Sequence, residues 1–377
     1  MILCEAGPEG RPVLFDEAEE LVVVHQPGDV APALRWLEGA RAGGAWVAGY
    51  LSYEAGYALE PRLAALMPGA SAREVPLLAF GIYDRPRPPG DFLLKPGRAQ
   101  LDPIVPVVDR AGYAAAFARI KDYIAAGDCY QINLTFPMES RLAEGGAIDL
   151  YLALRARQAV GFGAYADFGI GPQVVSRSPE LFFRTDAAGR IEARPMKGTA
   201  PRDADPVTDA ELAEELRSSV KNRAENLMIV DLLRNDISRI AKVGSVRVPE
   251  LFAVDSFATL HQMSSRVTGQ LRGRPDLFAL MTALFPCGSI TGAPKIRAME
   301  IIREVEPRPR GLYCGAIGWM GPDGSSCFSV AIRTLSVFGQ RVVLNVGGGV
   351  VQDSTAEGEC EEALWKAAYA RMLTTPI

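Results

Sequence analysis

An α+β fold is predicted by two features of the sequence. Strand-like segments arrive in antiparallel runs with helical segments between them, not in the strict alternation of a doubly wound parallel sheet. A stretch at 84–106 holds six prolines (Pro86, Pro88, Pro89, Pro96, Pro103 and Pro106). Such density forbids both a helix and a central strand. It divides the chain into an N-terminal part, residues 1–100, and a larger part, residues 101–377.

Beyond that seam, Asp109 caps a helix whose apolar positions are Tyr113, Phe117, Ile120 and Ile124, with Gly127 as its stop. Residues 129–136 alternate with period two, so Tyr130, Ile132, Leu134 and Phe136 share one strand face and Gln131, Asn133 and Thr135 the other. A strand pair is expected over 172–195, turning at Asp186-Ala187-Ala188-Gly189. Residues 209–240 read as one long helix with Leu212, Leu216, Val220 and Leu227 on its buried stripe. A strand near 243–248, mixed strand signals to 271 and a helix over 276–285 follow. Pro294 opens another helix that runs to about Glu304. Strands at 312–320, 326–338 and 341–351 lead to a last helix opened by Ser354-Thr355-Ala356-Glu357, with Leu364, Ala368 and Met372 as its core positions.

Composition narrows the function. Hydrophobic residues make up 48% and charged residues 23%, an ordinary globular balance. Forty basic against forty-five acidic side chains leave a net charge of −5, whereas a non-specific nucleic-acid binder carries a basic excess. The six cysteines form no CxxC pair, and with two histidines a zinc cage is not expected. The first residues lack a basic segment followed by an apolar run, and no stretch of eighteen apolar residues occurs, so the expectation is a cytoplasmic protein with reduced thiols and no membrane partner.

Candidate chemistry begins in the last helix, where Glu359, Glu362 and Lys366 fall at i, i+3 and i+7 on one face. Just before it, Gly347-Gly348-Gly349 interrupts an apolar strand, a costly choice unless a ligand or backbone approaches closely. Glu225 sits in the long helix. Carboxylates from two helices could hold Mg²⁺, which takes one or two of them plus substrate oxygens. Arg333 lies on a strand face with Ser329 and Ala331, suited to a salt bridge or to clamping a carboxylate. Lys197 stands at a strand end between Pro195 and Gly198. As a nucleophile it must be neutral, yet an unperturbed lysine is only roughly 0.04% neutral at pH 7. Burial or a neighbouring cation would have to lower its pKa. Glu180, in Ser178-Pro179-Glu180, begins a strand returning toward that loop and in an apolar site would stay protonated as a general acid.

Other patterns fail. Gly161–Ala166 fits GxGxxA but follows a helix and enters an aromatic strand. Gly288–Lys295 lacks the ending of a P-loop, and no GxSxG occurs.

Together, GDCYQINLTFP (127–137), SRSPELFF (176–183), RPMKGTAPR (194–202), KNRAENLMIVDLLRNDISR (221–239), GSITGAPKIRAMEII (288–302), GAIGW (315–319), FSVAIRTL (328–335) and GGGVVQDSTAEGECEEALWKA (347–367) resemble the chorismate-utilising enzymes. WVAGYLSYE (46–54) resembles their N-terminal part. The resemblance implies one composite body, with two antiparallel sheets packed face to face and helices outside. It further implies Glu225 and Glu362 as Mg²⁺ ligands with Glu359 close by, and a metal that binds the ring carboxylate of chorismate. Arg333 and Tyr313 resemble the contacts to the enolpyruvyl carboxylate, helped by Gly349 and Lys366. Thr199 and Gln131 fall at the substrate, and His261 matches a family histidine, its alternative being a buried structural role.

Lys197 selects a branch. Anthranilate-forming relatives have alanine there, whereas the aminodeoxychorismate-forming branch typically carries lysine. In that branch the resemblance implies attack of the amine on C2 of the ring while Glu180 protonates the departing C4 hydroxyl. Ammonia then adds at C4, giving 4-amino-4-deoxychorismate for para-aminobenzoate and folate synthesis. Isochorismate- and salicylate-forming relatives carry a water-activating lysine where this chain has Gln131, which cannot serve as that base. No glutaminase cysteine motif is visible, so a separate glutamine amidotransferase subunit is expected to supply ammonia. No clear match to the family's tryptophan-binding segment appears in the N-terminal part.

Overall fold

The computed structural model describes residues 1–93, 96–257 and 260–374. The expectations over 84–106 and 243–271 therefore include four positions, 94, 95, 258 and 259, that lie outside the described residues. The α+β expectation holds: two ten-stranded sheets carry the chain, and the strands within them pair antiparallel, with one isolated parallel bridge from Leu101 to Thr374.

The first sheet is centred on Gln131–Glu144, Arg341–Val350, Thr334–Phe338 and Gln173–Ser178. The second contains Met196–Pro201, Leu260–Gln270, Arg190–Arg194, Leu181–Thr185, Ser326–Val330 and Ala316–Met320 in that order. The N-terminal residues extend both. Ile2–Cys4 pairs with Phe162–Ala166 in the first sheet, and Trp46–Leu51 pairs with Ala316–Met320 in the second. Ile2, Val174 and Ala164 from one sheet share an apolar cluster with Tyr50, Ile317 and Ala48 from the other. The sheets thus meet face to face, and helices such as Arg110–Ala125, capped by Asp109 and burying Tyr113, Phe117 and Ile120, pack outside.

The chain crosses between the sheets at two places that matter for the site. Gln173–Ser178 lies in the first sheet and Leu181–Thr185 in the second, so Pro179 and Glu180 make one crossing. Ser326–Val330 lies in the second sheet and Thr334–Phe338 in the first, so Ala331–Arg333 make the other. This corrects the single strand expected over 326–338. Period-two alternation continues through a crossing because both sheets bury a face, so the pattern does not mark the break. Arg333 does: its φ of 49° is left-handed, in the break between Val330 and the next strand at Thr334. The two crossings are stitched together, Arg177 N–H to Arg333 O at 2.9 Å and Val330 N–H to Glu180 O at 3.1 Å.

Two helical expectations also change. The helix over 209–240 is two, Pro206–Ser218 and Val220–Ser238, separated by Ser219 in a non-helical conformation. The Ser219 hydroxyl accepts from the Asn222 N–H and restarts the helix in a new phase. Val220 and Leu227 are consequently exposed, while Ile229, Val230, Leu233 and Ile237 are buried. In the last helix, Ala356–Trp365, the buried positions are Cys360 and Ala363, continued by Ala367 and Ala370; Ala368 and Met372 are exposed and Leu364 is half-buried. Small residues face inward there because the helix lies close on the strand Arg341–Val350. The strands expected from 243 and 312 start later, at Arg247 and Ala316. Among the described residues, no helix is long and apolar enough to cross a membrane.

Candidate active site

A cavity of about 430 Å³ opens where the crossings, the strand end at Lys197 and two helices converge. Glu180, Lys197, Thr199, Glu225, Tyr313, Arg333, Gly349, Glu359, Glu362 and Lys366 all line it. Residues far apart in sequence meet because the crossings turn Glu180 and Arg333 out of their sheets. The helices Val220–Ser238 and Ala356–Trp365 bring Glu225, Glu359 and Glu362.

Gln131 and His261 do not line the cavity. Gln131 is buried beneath its floor, and neither of its amide atoms has a hydrogen-bond partner. A Cβ at Gly349 would lie 2.6 Å from Gln131 Nε2 and 3.2 Å from Lys197 Nζ, so only glycine lets both side chains approach this strand. His261 corrects the expectation of a substrate contact. On its strand Leu260 and Gln262 face the cavity, and alternation sends His261 the other way. Its Nδ1 meets the Ser256 hydroxyl at 2.9 Å and its Nε2 meets Asp209 Oδ1 at 3.0 Å. That is the buried structural role.

The electrostatics divide the cavity into an acid, an amine and a carboxylate cluster. Glu180 is 4% exposed, and burial pushes its carboxyl up to about 7 against hydrogen bonds from Ser289 and the Met196 amide and the cations Lys197 and Arg333. Lys197 keeps part of its surface open to the cavity, but protein packs around it. Burial and the Lys366 ammonium hold its pKa below the ordinary lysine value, opposed by Glu225, Glu180 and Glu362. This supplies the two causes a neutral lysine requires. Glu225 is raised by burial and by repulsion from Glu359 and Glu362, although Lys197 and Lys221 oppose it. Burial also raises Glu359, opposed by the Ser354 hydroxyl, which donates to it at 2.6 Å. Glu362 goes the other way: burial would raise it, but Lys366, paired at 2.9 Å, outweighs burial and lowers it.

Several lining residues escaped the sequence reading: Asn133, Lys221, Asn222, Gln262, Ser289, Asn345 and Trp365. Lys221 stands one turn before Glu225, and Asn133 lies on the polar strand face already noted, so both carried a spacing signal. Ser289 carried none, because its turn matched no motif with a fixed role.

The chorismate binding enzyme family matches residues 89–371. The chain belongs to that family. Aminodeoxychorismate synthase component 1 of Escherichia coli (strain K12) is 43% identical over 257 residues, which cover 68% of this chain and 56% of that protein. Anthranilate synthase component 1 of Streptomyces coelicolor is 44% identical over 259 residues, covering 68% of this chain and 50% of that protein. The chain spans a little over half the length of the curated relatives such as the Escherichia coli protein. Anthranilate synthase component I from Streptococcus pneumoniae TIGR4 superposes with a TM-score of 0.82 at 24% identity, covering 95% of this chain and 92% of that one. The menaquinone-specific isochorismate synthase from Escherichia coli gives 0.76 at 19% identity, covering 99% of this chain and 88% of that one. At those identities the likeness shows the fold.

Arg333, Lys366 and Lys221 stand around the cavity beside three glutamates. The glutamates offer the hard oxygen donors that Mg²⁺ takes, and Glu359 and Glu362 repel Glu225 while Lys197 and Lys221 oppose the rise of its pKa. They do not form a closed cage: among the described residues, no three acidic, histidine or cysteine side chains gather to hold a metal ion. Glu362 turns to Lys366 and Glu359 to Ser354 instead.

Proposed function

We propose that the chain is an aminodeoxychorismate synthase component I, which converts chorismate and ammonia to 4-amino-4-deoxychorismate through a covalent adduct on Lys197. Identity to relatives does not separate this branch from anthranilate synthase, since both stand near 43–44%. The observation that carries the reading is Lys197 on the same cavity wall system as the buried acid Glu180, with burial and Lys366 lowering the pKa of its amine.

In this reading Arg333 and Tyr313 hold the enolpyruvyl carboxylate, with Lys366 and the backbone at Gly349 beside it. Bound Mg²⁺, held by Glu225 and Glu362 with Glu359 close by, supplies positive charge for the ring carboxylate. The neutral Lys197 amine forms a bond to C2 while both conjugated ring double bonds shift by one position and the C4 hydroxyl departs as water with the Glu180 proton. Ammonia then bonds to C4, both double bonds shift back and the C2–nitrogen bond to lysine breaks. Overall, one ammonia enters and one water leaves. Splitting one displacement into two lowers each barrier. Ammonia comes from a separate glutamine amidotransferase subunit, a reading supported by the designation of the relatives as component 1.

The test is to incubate the protein with chorismate, Mg²⁺ and ammonium at alkaline pH and identify products by mass. The expected product is an amine that retains the enolpyruvyl group and yields para-aminobenzoate when a lyase is added. Fluorescent anthranilate with released pyruvate overturns the branch assignment. Gly349→Ala provides a second expectation. Its methyl group would press on Gln131 and Lys197, so chorismate turnover should fall about 10²-fold, the order that a small misplacement of a reacting group costs. An unchanged rate in a variant with the wild-type melting temperature would show that the floor does not position the lysine.

A further inference from the structure

Behind Glu180 lies a hydrogen-bonded chain that the proposed reaction does not use. The short turn Gly288–Ile290 places the Ser289 hydroxyl 2.7 Å from Glu180 Oε1, and Cys287 Sγ 3.2 Å from the same hydroxyl. All three side chains are buried. The direction of the chain follows from proton counting. A hydroxyl has one hydrogen, and Ser289 donates it to the ionised Glu180 carboxylate, so toward Cys287 it then accepts. Burial, with the nearby Glu180, pushes the Cys287 thiol up to about 12, so the sulfur keeps the hydrogen it donates. Oε1 of the ionised acid is therefore held as an acceptor, and the Met196 amide is a second donor to the same carboxylate.

We propose that Ser289, itself oriented by the Cys287 thiol, is a positioning residue for Glu180, fixing Oε1 and stabilising the carboxylate that remains when the acid delivers its proton to the leaving hydroxyl. This rests on the reading of Glu180 as the general acid. The charged and titratable groups that face Glu180 are Lys197 from its strand, Arg333 from the second crossing, and the thiols of Cys287 and Cys314. Both thiols are pushed up to about 12, so neither ionises alongside the acid near neutrality.

The test compares Ser289→Ala, Ser289→Thr and Cys287→Ala by chorismate consumption across pH at fixed free ammonia, with melting temperatures measured in parallel. Ser289→Ala should lower kcat by about 10²-fold, the order that a misplaced catalytic group costs, and leave KM for chorismate nearly unchanged. Because the lost hydrogen bond favoured the carboxylate, the alkaline limb should also move upward, by about one pH unit. Ser289→Thr keeps the hydroxyl and should restore much of both. Cys287→Ala should shift the limb in the same direction by less, and it reads the chain from its far end should Ser289→Ala fold poorly. Wild-type kcat with an unmoved limb in folded Ser289→Ala, or in Cys287→Ala where the serine variant does not fold, overturns the proposal. Glu180→Gln separates the two readings. If it is inactive while Ser289→Ala is unaffected, the positioning role alone fails; if it turns over normally, the general-acid reading fails with it.

Discussion

Lys197→Ala is expected to abolish the enzyme adduct and to slow amination of chorismate by about 10³-fold, the order seen when an enzyme keeps its binding site but loses a reacting group. The size of the effect follows from what remains. Arg333, Tyr313 and the glutamates still line the cavity, so substrate should bind, but no amine is held over the ring. Direct addition of ammonia would supply the residual rate. The pH dependence sharpens the test. The proposed reaction requires a neutral Lys197 and a protonated Glu180. Activity should therefore rise with pH as the lysine, held below its usual value by burial and Lys366, loses its proton. It should fall again as Glu180 ionises near its raised value of about 7. At fixed free ammonia, kcat/KM for chorismate in Lys197→Ala should lose the rising limb and keep the falling one. Mass spectrometry of the wild type quenched during turnover should find chorismate-derived mass on the peptide containing Lys197. Wild-type turnover in Lys197→Ala, with no adduct in the parent protein, would refute covalent catalysis.

The second large effect concerns the carboxylates. Glu362→Gln is expected to raise the Mg²⁺ concentration needed for half-maximal turnover at least about tenfold, equivalent to about 1.4 kcal/mol. A chelator should stop the wild-type reaction altogether. Lys366 at 2.9 Å lowers the pKa of Glu362, whereas those of Glu225 and Glu359 are raised, so in the proposed metal site Glu362 is the carboxylate that keeps its charge most firmly. Removing that charge also leaves Lys366 without its partner in the same space, adding repulsion to the lost attraction. Calorimetric titration of Mg²⁺ in the presence of chorismate reads the effect without relying on turnover. An identical Mg²⁺ titration in wild type and Glu362→Gln would take this residue out of the metal site.

Much of the fold was legible because antiparallel strands with one buried face alternate with period two, as Gln131–Glu144 does, and because caps such as Asp109 and Thr355 act locally. What the pattern hid were events that leave periodicity intact. The crossing at Ala331–Arg333 continues the alternation of Ser326–Val330, so one strand was expected where two sheets are joined. The break at Ser219 shifted the buried stripe, since a helix that restarts presents a new face. The candidate site behaved similarly. The spacing of Glu359, Glu362 and Lys366 is a local property and placed all three on the cavity. His261 sits one residue away from Gln262, and strand alternation alone separates a lining residue from a buried one.

The sequence by itself determined the α+β class, the family and the inventory of reactive groups, because these depend on residue types and on spacings within single segments. Only the tertiary structure decided which of those groups meet. Glu180 and Arg333 reach one cavity because the chain passes twice between the sheets. Lys197 has a lowered pKa because folding buries it and sets Lys366 nearby, and Glu180 is tied to Ser289, more than a hundred residues away in the chain. Proton affinities and hydrogen-bond partners are set by neighbours in space, and those neighbours come from segments that no local pattern connects.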